Sequence, residues 1–114
     1  MLRILKTDFH FEDARGALVQ LVHEGYRQVN VITSQKGVFR GGHFHKQNNE
    51  AFYIISGSVD VTVNDEQHRF RTGDFFGIDA MDRHSFQFLE DTVLVSMYNI
   101  GVENPDGTKD IYTE

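Results

Sequence analysis

The chain of 114 residues contains no cysteine. Disulfides and thiolate metal sites are therefore excluded, and cysteine usage says nothing of the redox compartment. Proline occurs once, as Pro105 near the end. No apolar run approaches the length of a membrane span. The opening "MLRILKTDFHFEDARG" turns charged too early for a signal peptide. A cytoplasmic protein with no membrane partner is the expectation. Basic residues are also scarce, 11 against 17 acidic, for a net charge of −6. Without a stripe of Lys and Arg, nucleic acid is not an expected partner. A small phosphorylated ligand needs only one or two arginines and stays open.

What is present suits one domain over residues 1–114. Hydrophobic residues make up 39% and aromatics 12%, with ten Phe, which is enough to fill a small core. Short apolar or alternating runs recur between turn signals, the pattern of an all-β sandwich or barrel. Strands are expected at Leu18–His23, Gln28–Thr33, Gly41–His45, Ala51–Ile55, Val59–Val63, His68–Arg71, Phe75–Ile78, His84–Leu89 and Val93–Tyr98. Turns fall at "SQKG", "HKQNNE", "VNDEQ", "RTGD" and "LEDT". Val59, Val61 and Val63 alternate with polar residues, so one face of that strand is buried. "AFYIIS" is apolar on both faces and reads as a central strand. "FEDARGALVQL" reads as a turn and then a strand, because Gly16 interrupts a helix. Nine short strands without a long helix suggest a jelly roll. A core this small, with exposed sheet edges, is expected to pair as a homodimer.

The chemistry concentrates in "RGGHFHKQNNEAFYIISG", Arg40 to Gly57. His43 and His45 stand at i and i+2, so on a strand both point to one face. "KQNN" reverses the chain, and Glu50 begins the return strand, either beside the first or across in a facing sheet. Two imidazoles and a carboxylate on one wall suit a divalent transition metal. His84 opens a later strand, eleven residues after Gly73, and completes the set. Buried ionisable groups without a partner are costly, and a metal removes that cost. Three imidazoles and a carboxylate accept Zn, Fe(II), Mn, Ni or Cu.

Gly37, His43, His45, Glu50, Gly57, Gly73 and His84 together resemble the two-part signature of the cupin superfamily, the double-stranded β-helix or RmlC-like jelly roll. The first half matches at every defining position. In the second half Asp79 stands where proline is usual, Met81 where glycine is usual and Phe88 where asparagine is frequent. Gln28 to Gly57 is similar to polysaccharide-biosynthesis cupins, above all the C-terminal cupin domain of bifunctional capsular-polysaccharide enzymes. "FEDARGALVQL" resembles the "D.RG" opening of sugar-nucleotide cupins, including dTDP-keto-sugar epimerases and 3,4-ketoisomerases.

The resemblance implies a nucleotide-linked 4-keto-6-deoxy hexose as ligand and proton transfer beside its ketone. Such a step needs a base near the carbon and an electrophile for the enolate oxygen. Two departures bear on it. Metal-free ketoisomerases carry a glutamine-like residue where Glu50 stands, and a tyrosine near Asn30. Epimerases with a histidine–aspartate base do not usually keep this metal set. Candidate substrate-binding residues are Arg40, which could grip a phosphate bidentately, Lys46 after the ligand strand, and Arg15 in "DARG". Their alternatives are a surface ion pair, a solvated turn residue and a turn arginine. Tyr53 is a candidate proton donor if it points inward, and otherwise simply packs. His68 reads as a core histidine, and His10 and His23 carry no signal. Two other functions stand beside this one: an Fe(II) dioxygenase of a small organic substrate, and a non-catalytic binding or regulatory cupin.

Overall fold

The computed structural model describes residues 1–113. The described residues form eleven strands and no helix. They are β1 Leu2–Ile4, β2 Phe9–Asp13, β3 Gly16–Gln20, β4 Gln28–Ser34, β5 Phe39–His43, β6 Glu50–Ser56, β7 Ser58–Val63, β8 Glu66–Arg71, β9 Phe75–Ile78, β10 His84–Phe88 and β11 Thr92–Tyr98. A five-stranded sheet in the order β1-β9-β6-β11-β4 faces a four-stranded sheet in the order β5-β10-β7-β8. Every pairing is antiparallel. The architecture is the all-β jelly roll that the strand pattern implied.

The core lies between the sheets. Val59, Val61 and Val63 on β7 are each at most 4% exposed, while their neighbours Asp60 and Thr62 are only partly covered. This is the alternation expected when one face of a strand meets a core and the other meets water. Phe52 and Ile54 on β6 meet them from the opposite sheet, with Phe76, Phe86, Phe88 and Leu94 filling the middle. β6 is the central strand of its sheet. Its outer face is covered at Ala51 and Tyr53 by Leu5, Leu21, Val22 and Tyr26. That cover stops short of Ile55, which is 45% exposed. The reading of "AFYIIS" as buried on both faces therefore holds at its start and fails at its end.

Three expectations are corrected. β3 begins and ends earlier than Leu18–His23, because it forms a hairpin with β2, paired from Asp13↔Gly16 to Phe9↔Gln20. β5 runs Phe39–His43 and not Gly41–His45, so His45 lies beyond the strand. β1 and β2 were not anticipated, since short exposed strands carry no burial alternation to read. Gly57 sits between β6 and β7 with φ +106, and a Cβ there would meet the Asp91 carbonyl oxygen at 2.6 Å and Thr92 Cα at 2.8 Å. Only glycine fits that crossing.

Candidate metal centre and cavity

His43 ends β5 and His84 begins β10, and the two residues are register partners in the four-stranded sheet. The pairing shifts between His84 and Ser85, where Gly41 packs with φ +109. A Cβ on Gly41 would lie 2.8 Å from the His84 carbonyl oxygen, so glycine permits the bulge beside the histidines. Glu50 starts β6 in the facing sheet and is 5% exposed. The return strand thus crosses over, and Glu50 meets the histidines across the interior.

Potential ligand atoms of His43, His45 and His84 all lie within 4.8 Å of one another. Glu50 Oε1 is 3.0 Å from His45 Nε2 and 3.5 Å from His84 Nε2. Two donors about 2.1 Å from one ion sit roughly 3.0 to 3.4 Å apart in octahedral or tetrahedral geometry. The two Glu50 contacts are near that spacing, and the histidines, within 4.8 Å of one another, would close in to share one divalent ion. The outer partners fit too. A carbonyl can only accept, so His45 Nδ1 donates to the Asp110 carbonyl at 2.6 Å and His84 Nδ1 to the Asp82 carbonyl at 3.1 Å. Both rings then turn Nε2 inward. Ser96 Oγ donates to Glu50 Oε2 at 2.8 Å, leaving Oε1 facing the rings.

The electrostatics of the cluster follow from burial and from the neighbouring groups. Burial pushes His84 down to about 4, with the neighbouring His45 adding to the effect. Burial followed by the charges of His84 and His45 pushes His43 down to about 4 as well. Both imidazoles are neutral at pH 7 and keep a lone pair to give. His45 moves the other way. Burial works against its charge, but the hydrogen bonds to Glu50 and to the Asp110 carbonyl raise it. An ion bound at Nε2 would displace that proton.

His43, Glu50 and His84 line a cavity of about 430 Å³, walled by both sheets. Its sides are apolar: Ile32, Phe52, Phe86, Phe88 and Leu94. Phe39 and Arg40 on β5, both exposed, also line it. Arg40 donates from Nε to Ser34 Oγ at 2.8 Å, and it is the one candidate substrate residue that lines the cavity. Tyr98 also lines it, in register with Glu50 across β11 and β6. Burial, then the Glu50 charge, raises the Tyr98 phenol well above its ordinary value, so it keeps its proton.

The other candidates lie elsewhere. Tyr53 points to the outer face of the five-stranded sheet, packed edge-on to Phe75 at 6.2 Å, because it is one residue out of phase with Phe52. Lys46 sits outside the cavity with its Nζ 4.2 Å from the Tyr112 ring centre. Arg15 is at the tip of the β2–β3 hairpin, paired with Asp13 at 2.6 Å. His68 stacks on Phe70 away from the cavity and is partly exposed. Met81 has φ +75, so the turn keeps a left-handed backbone even though the residue is not glycine. Its N–H donates to the His45 carbonyl at 2.6 Å, which ties this turn to the histidine segment.

Two facing sheets with three histidines and a glutamate converging between them define a cupin-type barrel. The cupin domain family matches residues 30–101, and the chain belongs to that family. A search of curated proteins returns no match. Among solved structures, the fold is similar to a 3,4-ketoisomerase from Helicobacter canadensis, with TM-score 0.81 and 18% identity over 99% of this chain and 90% of that one. It is similar to dTDP-4-dehydrorhamnose 3,5-epimerase from Sulfolobus tokodaii, with TM-score 0.72 and 19% identity over 86% and 70%. It also resembles the capsular polysaccharide assembling protein CapF from Staphylococcus aureus, with TM-score 0.65 and 23% identity, covering 91% of this chain and 33% of that one. Likeness at these identities establishes the fold, and chemistry must be argued from the site.

Proposed function

We propose that this cupin holds one divalent transition metal on His43, His45, Glu50 and His84, and acts on a nucleotide-linked 4-keto-6-deoxy sugar by proton transfer beside the ketone. The observation that carries the reading is the convergence of these four side chains, three of which, His43, Glu50 and His84, line a cavity that Arg40 also lines. The activities named for the epimerase and ketoisomerase of similar fold support the substrate class. A metal there would supply a Lewis acid for a developing enolate oxygen. Arg40 would pair with the diphosphate while its partner Ser34 steadies the guanidinium. The apolar walls exclude water and strengthen every charge interaction within. Tyr98, in the place first given to Tyr53, keeps its proton and would offer its O–H as a hydrogen bond to the substrate.

The test is the thermal midpoint of the metal-loaded protein with UDP, dTDP and GDP in turn, against matched salt. A nucleotide at a hundred times its dissociation constant adds about 2.7 kcal/mol. One nucleotide raising the midpoint, followed by deuterium wash-in to the matching 4-keto sugar, is the expected result. No response to any of them at millimolar concentration removes the substrate assignment. The apolar lining favours a second reading in that event, an Fe(II) dioxygenase of a small apolar molecule, checked by oxygen uptake.

A homodimer belongs to the same proposal. Phe9, Phe11 and Leu18 share one face of the β2–β3 hairpin and are 48–55% exposed, and Val29 and Val31 on edge strand β4 are 60% and 67% exposed. Apolar surface next to an open sheet edge is what a partner copy covers. Light scattering should give twice the 13.1 kDa chain mass, and Phe11→Asp should shift it toward the monomer. A monomeric wild type rejects the pairing.

A further inference from the structure

The chain between two of the candidate ligands is held from outside the sandwich. Asp110, on the C-terminal tail, is 0% exposed. Its carboxylate accepts from the backbone N–H groups of Lys46 at 2.8 Å, Gln47 at 2.9 Å and Asn48 at 3.1 Å, and from Asn48 Nδ2 at 2.9 Å. Its backbone carbonyl accepts from His45 Nδ1. Asn48 is itself 0% exposed, and its Oδ1 accepts from the N–H groups of Ile100 and Gly101. Phe44 and Tyr112 exchange both backbone hydrogen bonds beside this cluster. One tail residue thus grips the segment from His45 to Asn48 at both its side chain and its main chain.

A fully buried carboxylate is costly unless every acceptor site is used. Here three successive N–H groups converge on one, an anion nest that fixes the backbone of a turn. That turn sets the spacing from His45 to Glu50. The carbonyl fixes the tautomer and ring plane of His45. Resting on the metal reading above, we propose that Asp110 is the positioning residue of the metal centre: it sets both the orientation of His45 and the path from His45 to Glu50. The tail from Val102 to Thr113 is then part of the site, though none of its residues lines the cavity.

Asp110→Asn keeps the shape and replaces one acceptor with a donor facing backbone donors. Asp106→Asn is the control, because Asp106 is exposed on the same tail and bonds only Thr108. Cobalt(II) titration followed by visible ligand-field absorption reads both affinity and geometry. Asp110→Asn should bind cobalt about 10- to 100-fold more weakly, the usual cost of losing an outer partner, with an altered spectrum. Asp106→Asn should change neither. In the wild type, metal should slow amide exchange at Lys46, Gln47 and Asn48, since coupling is reciprocal. A variant that is merely less stable, with wild-type affinity and spectrum, makes Asp110 a fold residue only and overturns the proposal. If the variant does not fold, unchanged exchange at the three amides in wild type overturns it. A wild type that binds no cobalt removes the metal reading and this inference together, whereas a binding wild type with an unaffected variant removes this one alone.

Discussion

His84→Ala should lose metal binding almost entirely. His84 is 3% exposed, and its Nε2 faces Glu50 Oε1 at 3.5 Å while its Nδ1 is occupied by the Asp82 carbonyl. No other described side chain stands ready to replace it. Loss of a group that merely supports a ligand costs about 10- to 100-fold in affinity, so loss of the ligand itself should exceed that. At a metal concentration one hundred times the wild-type dissociation constant, binding stabilises the wild type by about 2.7 kcal/mol. A thousandfold weaker variant should gain less than roughly 0.1 kcal/mol at the same concentration. The metal-free variant should suffer less, because the wild type already bears the cost of a desolvated imidazole held far below its ordinary pKa. Thermal midpoints with zinc and with chelator separate the two effects. Equal zinc-induced stabilisation of variant and wild type would remove His84 from the site.

The candidate site was legible because its residues announce themselves by spacing, and the two sheets bring those residues together by register. His43 and His84 face each other as cross-strand partners. His45 reached the cluster by another route than its i+2 position suggested, since it sits past the end of β5 in a turn held by the tail. Tyr53 failed on parity. The run "EAFYIIS" is apolar on both phases, so the sequence does not say which phase faces the cavity. Only the position of Glu50 does, and it selects Phe52. Tyr98, Ser96 and Asp110 were missed because each acts through a partner 46 to 65 residues away or in the neighbouring strand. Such pairings leave no local pattern. The β2–β3 hairpin was half seen for the opposite reason. Its residues are exposed except for the half-buried Val19, so no burial rhythm marks where it begins. The signature glycines had readable causes: Gly37, Gly57 and Gly73 all have positive φ.

The largest loss of stability should come from Phe76→Ala. Phe76 is 0% exposed at the centre of β9, between β1 and β6. Its ring stacks on Phe70 with centroids 3.9 Å apart and planes 8° from parallel, and on Phe52 at 5.2 Å. Phe52 in turn meets Phe86 at 4.9 Å, and both reach His84 at 6.2–6.5 Å. The aromatic chain from Phe70 to Phe86 is thus the middle of the core, and at its Phe52 and Phe86 end it also walls the cavity. Truncation at Phe76 removes transfer energy and leaves a void that rigid neighbours cannot close, a cost of about 3–5 kcal/mol. A domain of this size holds only about 5–15 kcal/mol in total. The midpoint should fall by roughly 12–20 °C, at about 4 °C per kcal/mol. Phe76→Leu retains most of the volume and should lose less than half as much. Urea unfolding of both variants gives the comparison, and a Phe76→Ala protein within 1 kcal/mol of wild type would mean the stack carries no core. Because the same rings lean on His84, Phe76→Ala should also weaken cobalt binding in whatever fraction stays folded, while an equally destabilising change on the far side, such as Met97→Ala among the outer-face residues, should not.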